Sequence, residues 1–491
     1  METRRKWALW LAVCMLLPTI GCAADTGEAD SGPADTAVQT EAAETETERF
    51  AADLPARDFA GEEFNFYARI YEGAWTVTDL LVSELTGEKI NDALYERQLY
   101  MEETYNLKLV AVESGSDDIF SNVKTFVSAG DASCQADEGR AYNMSDLSLN
   151  GILLDLHTVE NMDLSAPWWD QTMNGSVSIG GRQHYAVGDL FIIDNKAERI
   201  YYFNKDMAED LGIGNLYAVA REGNWTIDTF MEYNEIASAD LNGDGTLSRD
   251  TDRYGTMAQP QHLGFGLYLG AGQTIIGKDS DDIPYFHAAT PEALDIMVSI
   301  TEKIGGNPAL SCSNEANFST VLPDNLIFFQ EGRVLFSPEV LMHIETMRDC
   351  DVDIGILPNP KLNPEQENYY CYADGYCVNA VSVPVTNTES EKIGFVLEAM
   401  AAESKNNLTP AYFEVCLTDK YVRDTDSVEM LELVMSSAIL DLGEVFRWNG
   451  IANTVSDAIY KGDSIVSTIT ANEKPIGSSI EKTLKALDLA E

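Results

Sequence analysis

Basic residues are scarce: 32 Lys and Arg stand against 81 Asp and Glu, a formal net charge of −49 over 491 residues. A chain this acidic is repelled by phosphate backbones, which excludes DNA or RNA binding and disfavours a substrate with several negative charges. Histidine is scarcer still. His157, His184, His262, His287 and His343 are scattered singly, and each is expected to be a polar or packing residue rather than a catalytic base. There is no H-E-x-x-H, G-x-S-x-G or Walker sequence, so the motif-borne hydrolase and nucleotide chemistries have no foothold. No cysteine pair has C-x-x-C spacing, which removes the usual signs of zinc and thioredoxin chemistry. No apolar run reaches the ~20 residues of a membrane-spanning helix, and no fixed-period repeat is present.

What is there begins with an export-like leader. Arg4, Arg5 and Lys6 precede an apolar run from Trp7 to Leu17, and Pro18-Thr19-Ile20-Gly21-Cys22 follows. A short apolar run behind a basic segment suits a signal peptide, expected over 1–21. A small residue before a cysteine resembles a bacterial lipoprotein cleavage site, which would make Cys22 the acylated first residue. Thr19 departs from the usual Leu at that place. The alternative is a plain secreted protein with Cys22 unmodified. Residues 23–48 then carry eight acids with no basic or aromatic residue. Such a segment cannot bury enough apolar surface to fold, and reads as a solvated tether spanning 22–57. The body is expected at the outer face of the cytoplasmic membrane or in the periplasm, anchored through lipid alone.

Apolar residues make up 45% of the chain, enough for a substantial core, and they are patterned as α/β. Phe64, Phe66, Ala68 and Ile70 alternate as in a strand. Ile90, Ala93, Leu94 and Met101 mark one face of a helix, and Leu107, Leu109 and Ala111 alternate again. This β–loop–α–β order opens an α/β domain. Tyr185–Ile193 is apolar apart from Gly188 and Asp189. Ile200–Phe203 runs into Asn204, a candidate cap. Thr226 is a candidate N-cap for the next helix. Leu326–Phe336 reads as helix end, turn and strand. Ile354–Leu357 and Val378–Val383 are further strands, and the last hundred residues read mainly as helix. Export permits disulfides; Cys371 and Cys377 could pair, or be isolated buried thiols like Cys134, Cys312, Cys350 and Cys416.

The sharpest local motif is Asp240-Leu241-Asn242-Gly243-Asp244-Gly245-Thr246-Leu247-Ser248. Oxygen side chains fall at loop positions 1, 3, 5 and 9, Gly245 sits where the loop must turn, and the Thr246 carbonyl suits position 7. Ca²⁺ needs this kind of oxygen spacing. Position 12 is Thr251 rather than Glu, so Asp250, Asp252 or an acid from elsewhere must complete the sphere. The alternative is an empty Asx-rich turn. The calcium expected here is structural.

These pieces together resemble one family, the extracellular solute-binding lipoproteins of bacterial ABC importers, and within it the carbohydrate-type group that includes maltose-binding protein. Tyr201-Tyr202-Phe203-Asn204-Lys205-Asp206-Met207 is similar to that group's "YYNKD" strand-to-helix segment. Asn224-Trp225-Thr226-Ile227-Asp228-Thr229-Phe230 is similar to its "TWDEF" helix start. Phe329-Gln330-Glu331-Gly332-Arg333-Val334-Leu335-Phe336 is similar to its "F-x-x-G" segment. The Asp240 loop with Asp252-Arg253-Tyr254-Gly255 is similar to its "DLNGDG…DQYG" insertion, with one extra residue in the gap. Ile354-Gly355-Ile356-Leu357-Pro358 is similar to the strand that returns to the first lobe. The likeness spans most of 60–400, and its strength lies in order and spacing.

The resemblance implies a two-lobed α/β fold, each lobe a mixed sheet flanked by helices, with a ligand cleft at the hinge. Lobe 1 would comprise 58–165 plus 358–405, and lobe 2 would comprise 166–357 plus 406–491. It implies a monomeric, non-catalytic receptor that closes on a small neutral solute, a mono- or oligosaccharide, and delivers it to a permease. A sugar offers hydroxyl edges and apolar faces, so its site wants aromatics beside carboxylates, amides or arginine. Trp168, Trp169 and Asp170 form one such group after Pro167. Asp189 interrupts an apolar stretch. Glu72 and Trp75 follow the first strand, and Arg140 and Tyr142 hold a similar place. Glu339 follows Ser337-Pro338, where the resemblance implies a ligand-facing loop, and Tyr372, Asp374 and Tyr376 would line the far side. Trp225 is expected to be structural. Two other functions compete: a secreted glycoside hydrolase with paired carboxylates, and a surface sensory or adhesion module. With 81 acids in the chain, carboxylate pairs by themselves argue nothing.

Overall fold

The computed structural model describes residues 49–69, 80–115, 119–192, 196–312, 323–347, 350–418 and 425–489. Cys22, Glu72 and Trp75 lie outside them. Strand β1 (Glu62–Ala68) turns Phe64, Phe66 and Ala68 into a core. It pairs in parallel with β2 (Leu107–Glu113) on one side and β3 (Ala136–Arg140) on the other. Parallel neighbours need a crossover, and the Lys89–Tyr105 helix, burying Ala93, Leu94 and Met101, supplies the first. β4 (Tyr185–Ala186) lies at the far edge of this sheet, whose order, with β13 at Asn379–Ser382, is β2-β1-β3-β13-β4.

The chain then passes to a second sheet. β5 (Arg199–Asn204), β6 (Tyr254–Ala258), β9 (Leu310–Cys312), β10 (Val334–Val340) and β11 (Ile354–Leu357) assemble in the order β11-β5-β10-β6-β9, while β7 (Gly277–Lys278) and β8 (Pro284–Tyr285) form a separate hairpin. β5 is antiparallel to both neighbours, so its first residue lies at the edge where β10 ends. Local chemistry sets the helix starts. Asn204 accepts from Met207 N at 2.8 Å and Thr226 from Thr229 N at 3.3 Å, each capping the helix that follows. Trp225 is fully buried against Phe230 and Phe336 and donates to the Pro358 carbonyl at 2.8 Å.

The return path runs through β12 (Cys371–Tyr372), paired with β14 (Ala438–Ile439), and reaches the first sheet as β13 (Asn379–Ser382), antiparallel to β3 and β4. Trp168 and Trp169 pack in one cluster with Phe64 and Phe66, and β4 pairs with β13, so this segment packs with the first sheet. The chain rejoins that sheet at β13, after β12. The Leu408–Thr418 helix packs on the Lys89–Tyr105 helix, whereas the Thr425–Met435 helix packs on β11. Pairing partners far apart in sequence decide which sheet each segment joins. Cys134, Cys312, Cys350, Cys371 and Cys377 are free thiols, so Cys371 and Cys377 do not pair.

Candidate functional site

In α/β sheets, ligands gather beyond the carboxyl ends of parallel strands. Here two such edges meet. β3 ends in Arg140 and leads into the Ala141–Ser148 helix. β10 carries Glu339 near its end, β6 leads to Gln259 and His262, and β5 begins with Arg199. The two crossovers bridge to each other between these edges, Glu198 pairing antiparallel with Ala373.

Arg199 is the hub of that junction. Its guanidinium ion-pairs with Glu339 and with Asp374, and lies 3.0 Å from His262 Nδ1. All four side chains are buried. Glu339 also accepts from Val340 N at 2.9 Å and Gln259 Nε2 at 3.3 Å. Burial works to raise the Glu339 carboxyl, but Arg199, His262, His343 and the Val340 N–H together outweigh that and hold it at about 2. Burial, reinforced by Arg199, pushes His262 down to about 3, so its imidazole is neutral. Asp374 caps its own turn, accepting from Tyr376 N at 2.8 Å. Glu444 reaches this turn from the second lobe; burial, then Asp374 and Asp441, push its carboxyl well above the usual range.

Next to the hub is an aromatic stack. The Tyr142 and Tyr376 rings lie 5.3 Å apart and 5° from parallel. The Arg140 guanidinium sits 3.7 Å from the Tyr376 centroid, and that of Arg447 sits 4.5 Å from the Tyr142 centroid. Tyr376 is 49% exposed, so apolar ring surface and directed donors are offered together at the seam. That combination can hold a solute with flat apolar faces and hydroxyl edges.

The structure thus brings together Arg140, Tyr142 and Tyr376, and separately Glu339 and Asp374 about Arg199. Trp168, Trp169, Asp170 and Asp189 make their contacts elsewhere, and Glu72 and Trp75 lie outside the described residues. Trp168 and Trp169 are buried in the first lobe, and their indoles donate to the two oxygens of Glu398 at 2.9 and 3.0 Å. They pack a core rather than present a stacking face. Burial pushes Glu398 up to about 7, against those two donors. Asp170 caps the Gln171–Val177 helix, accepting from Met173 N at 2.7 Å. Asp189 pairs with Lys405 at 2.8 Å and accepts from Thr409 at 2.6 Å. These two partners hold it in the interior of the protein. Tyr372 is buried edge-on against Phe265 at 4.9 Å. Sequence reasoning missed Arg199, His262, Arg447 and Glu444. A single arginine opening an otherwise apolar strand could have flagged Arg199, and Asn449-Gly450 marks the turn beside Arg447.

The Asp240 loop is an exposed turn. Asp240 accepts from Gly243 N and Gly245 N, both at 2.7 Å, and Asp244 accepts from Thr246 N at 2.9 Å. Gly245 has φ +87°, which the turn requires. Asn242 donates to Asp244 and to Thr251, both at 3.0 Å. Asp252 lies beneath the loop and ties its ends, accepting from Leu241 N at 2.9 Å and Ser248 N at 2.7 Å. Asp250 and Ser248 hydrogen-bond each other locally, Asp250 N to Ser248 Oγ at 3.4 Å. The oxygen donors suit Ca²⁺ by type, but among the described residues no three His, Cys, Asp or Glu side chains are gathered to hold a metal.

No protein-family model matches the chain, and no curated protein matches it. Solved structures do. The ABC substrate-binding protein Lmo0181 from Listeria monocytogenes, in complex with cycloalternan, aligns at TM-score 0.53 and 15% identity, over 86% of this chain and 99% of that one. The cyclic α-maltosyl-1,6-maltose binding protein from Arthrobacter globiformis aligns at 0.56 and 12%, over 85% and 98%. UgpB from Mycobacterium tuberculosis, in complex with glycerophosphocholine, aligns at 0.54 and 15%, over 82% and 97%. The chain therefore has the two-lobed fold of substrate-binding proteins, with two mixed sheets flanked by helices. Identities this low establish the fold; the different guests of these three proteins show that it does not by itself fix a ligand.

Proposed function

We propose that the protein is an extracytoplasmic receptor that binds a small solute, most simply a mono- or oligosaccharide, without altering it, and hands it to an ABC-importer permease. The observation that carries this reading is the Arg140–Tyr142–Tyr376 group, set where the strand edges of two hinged lobes meet. Solved neighbours of this fold hold cycloalternan or bear the name of a maltosyl-maltose binder, which supports a carbohydrate guest. The leader sequence supports acylation at Cys22 and membrane attachment by lipid. The oxygen pattern of the 240–252 loop supports a structural Ca²⁺, with Asp240, Asn242, Asp244 and the Thr246 carbonyl as ligands. Binding would draw the two aspartates together, and the melting point should rise in CaCl₂ relative to EGTA; an equal melting point in both rejects the ion.

A thermal-shift screen with an oligosaccharide panel tests the receptor reading. A guest at a hundred times its Kd adds about 2.7 kcal/mol to the native state, enough to raise the melting point by several degrees. Tyr142→Ala and Tyr376→Ala should abolish the shift while the empty protein still melts cooperatively. Cleavage products in the panel would support the hydrolase reading instead.

A further inference from the structure

The loop Phe446–Gly450 joins two helices of the second lobe, Leu442–Val445 and Ile451–Lys461. Two of its non-glycine residues are left-handed: Arg447 at φ +51° and Asn449 at φ +53°, followed by Gly450 at φ +61°. L-residues avoid that region, so the loop carries backbone strain that something must offset. What the strain accomplishes is visible at the Arg447 side chain. It leaves its own lobe, ion-pairs with Asp146 and lies over the Tyr142 ring, 4.5 Å from its centroid. Both partners belong to the Ala141–Ser148 helix of the first lobe. They are four residues apart and so share one helix face. Tyr142 also stacks with Tyr376 from the return crossover, and Arg140 lies 3.7 Å from the Tyr376 centroid while donating to the Tyr142 hydroxyl at 3.2 Å. Arg140, Tyr142, Tyr376 and Arg447 thus form one cluster of contacts across the seam.

We infer that Arg447 is a displaceable latch. It ties the second lobe to the first by lying over the Tyr142 ring and pairing with Asp146. This inference rests on the receptor reading, because the face it covers is the one proposed to receive a guest. A guest that stacks on Tyr142 must first remove Arg447. The relaxation of the strained loop then offsets part of the lost contact. Half of the Arg447 side chain is solvent-exposed, so the latch is screened by salt.

The test uses the full chain with no ligand, read by small-angle X-ray scattering. The wild type should expand as salt rises from 50 to 500 mM. Arg447→Gln should already be expanded at 50 mM, with a closed-to-open ratio lowered roughly 3- to 30-fold, the combined range for an exposed ion pair and a cation–π contact. Asp146→Asn should shift it in the same direction by less, because the ring contact survives. Arg447→Lys should keep the ion pair and part of the closure. An Arg447→Gln radius of gyration and salt response identical to wild type would overturn the latch. So would a wild-type radius insensitive to salt. Neither readout involves a guest, so failure of the latch is distinguishable from failure of the receptor reading, which would show as no binding with the latch intact.

Discussion

Replacing Asp137 by valine should stabilise the protein, and the gain should grow with pH. Asp137 lies in β3, in register with Tyr67 on β1 and Ser382 on β13. It is buried, and neither carboxyl oxygen has a hydrogen-bond partner among the described residues. Burial alone pushes its carboxyl well above the usual range. An unfolded aspartate titrates near ~3.9. Above that pH the folded state keeps a proton that the unfolded chain releases, so stability falls as pH rises. The slope is about 1.4 kcal/mol per pH unit for as long as the folded carboxyl stays protonated. Between pH 4.5 and 6.5 the loss is at most about 2.7 kcal/mol, reached when the folded carboxyl keeps its proton throughout. Valine is of similar size, suits a strand and has no group to desolvate. Urea unfolding of both proteins at the two pH values measures the effect. The variant should be the more stable at both, with a gap that widens at pH 6.5 by up to about 2.7 kcal/mol. The other raised carboxyls, Glu398 and Asp441 among them, occur in both proteins and cancel in the difference. A gap that does not change with pH, or a variant less stable at pH 6.5, would refute the reasoning.

Arg199→Met leaves Glu339 and Asp374 buried without their cation and should cost about 3–5 kcal/mol in chemical unfolding. The loss should shrink at low pH, as Glu339, no longer held low by Arg199, takes up a proton; an equal loss at pH 4 and pH 8 would speak against the ion-pair hub. Trp169→Phe removes one donor to Glu398 and should cost about 1–2 kcal/mol in stability while leaving the affinity for a guest within about twofold. A large affinity loss at unchanged stability would put that indole back in the ligand site.

The local code of this chain was readable wherever neighbours in sequence are neighbours in space. Thr226 and Asn204 cap the helices they were expected to cap, and the alternation of Phe64, Phe66 and Ala68 forms a strand with that face buried. Trp225 is the packing residue its helix-start position implied. Tyr185–Ile193 was harder. Only Tyr185–Ala186 pairs as strand, because the backbone at Gly188 packs against Trp168 and Trp169, where a Cβ would come within 2.4 Å of the Trp168 carbonyl oxygen. The site was half legible for the same reason. Arg140 and Tyr142 follow a strand end, which marks them, and Tyr376 sits in a short turn between strands. The paired tryptophans also had the composition of a sugar-stacking pair, yet Glu398, over two hundred residues away, decides their role. Likewise, only the folded chain brings Lys405 to Asp189, or Glu339 and Asp374 to Arg199. Those pairings follow from sheet order and crossover position, which no local pattern in one sequence encodes.

Both lobes are expected to grip one unreacted guest at the seam beside Tyr142 and Tyr376, with Arg447 displaced from the Tyr142 ring. Amide hydrogen exchange of the full chain, with and without the sugar selected by the thermal screen, tests it most directly when the sugar is recovered and analysed afterwards. Protection should appear at once in 141–148, 374–382 and 442–450, with no change in the distant 227–237 helix, and the sugar should return intact. Protection confined to a single lobe, or a sugar recovered in pieces, would contradict the account.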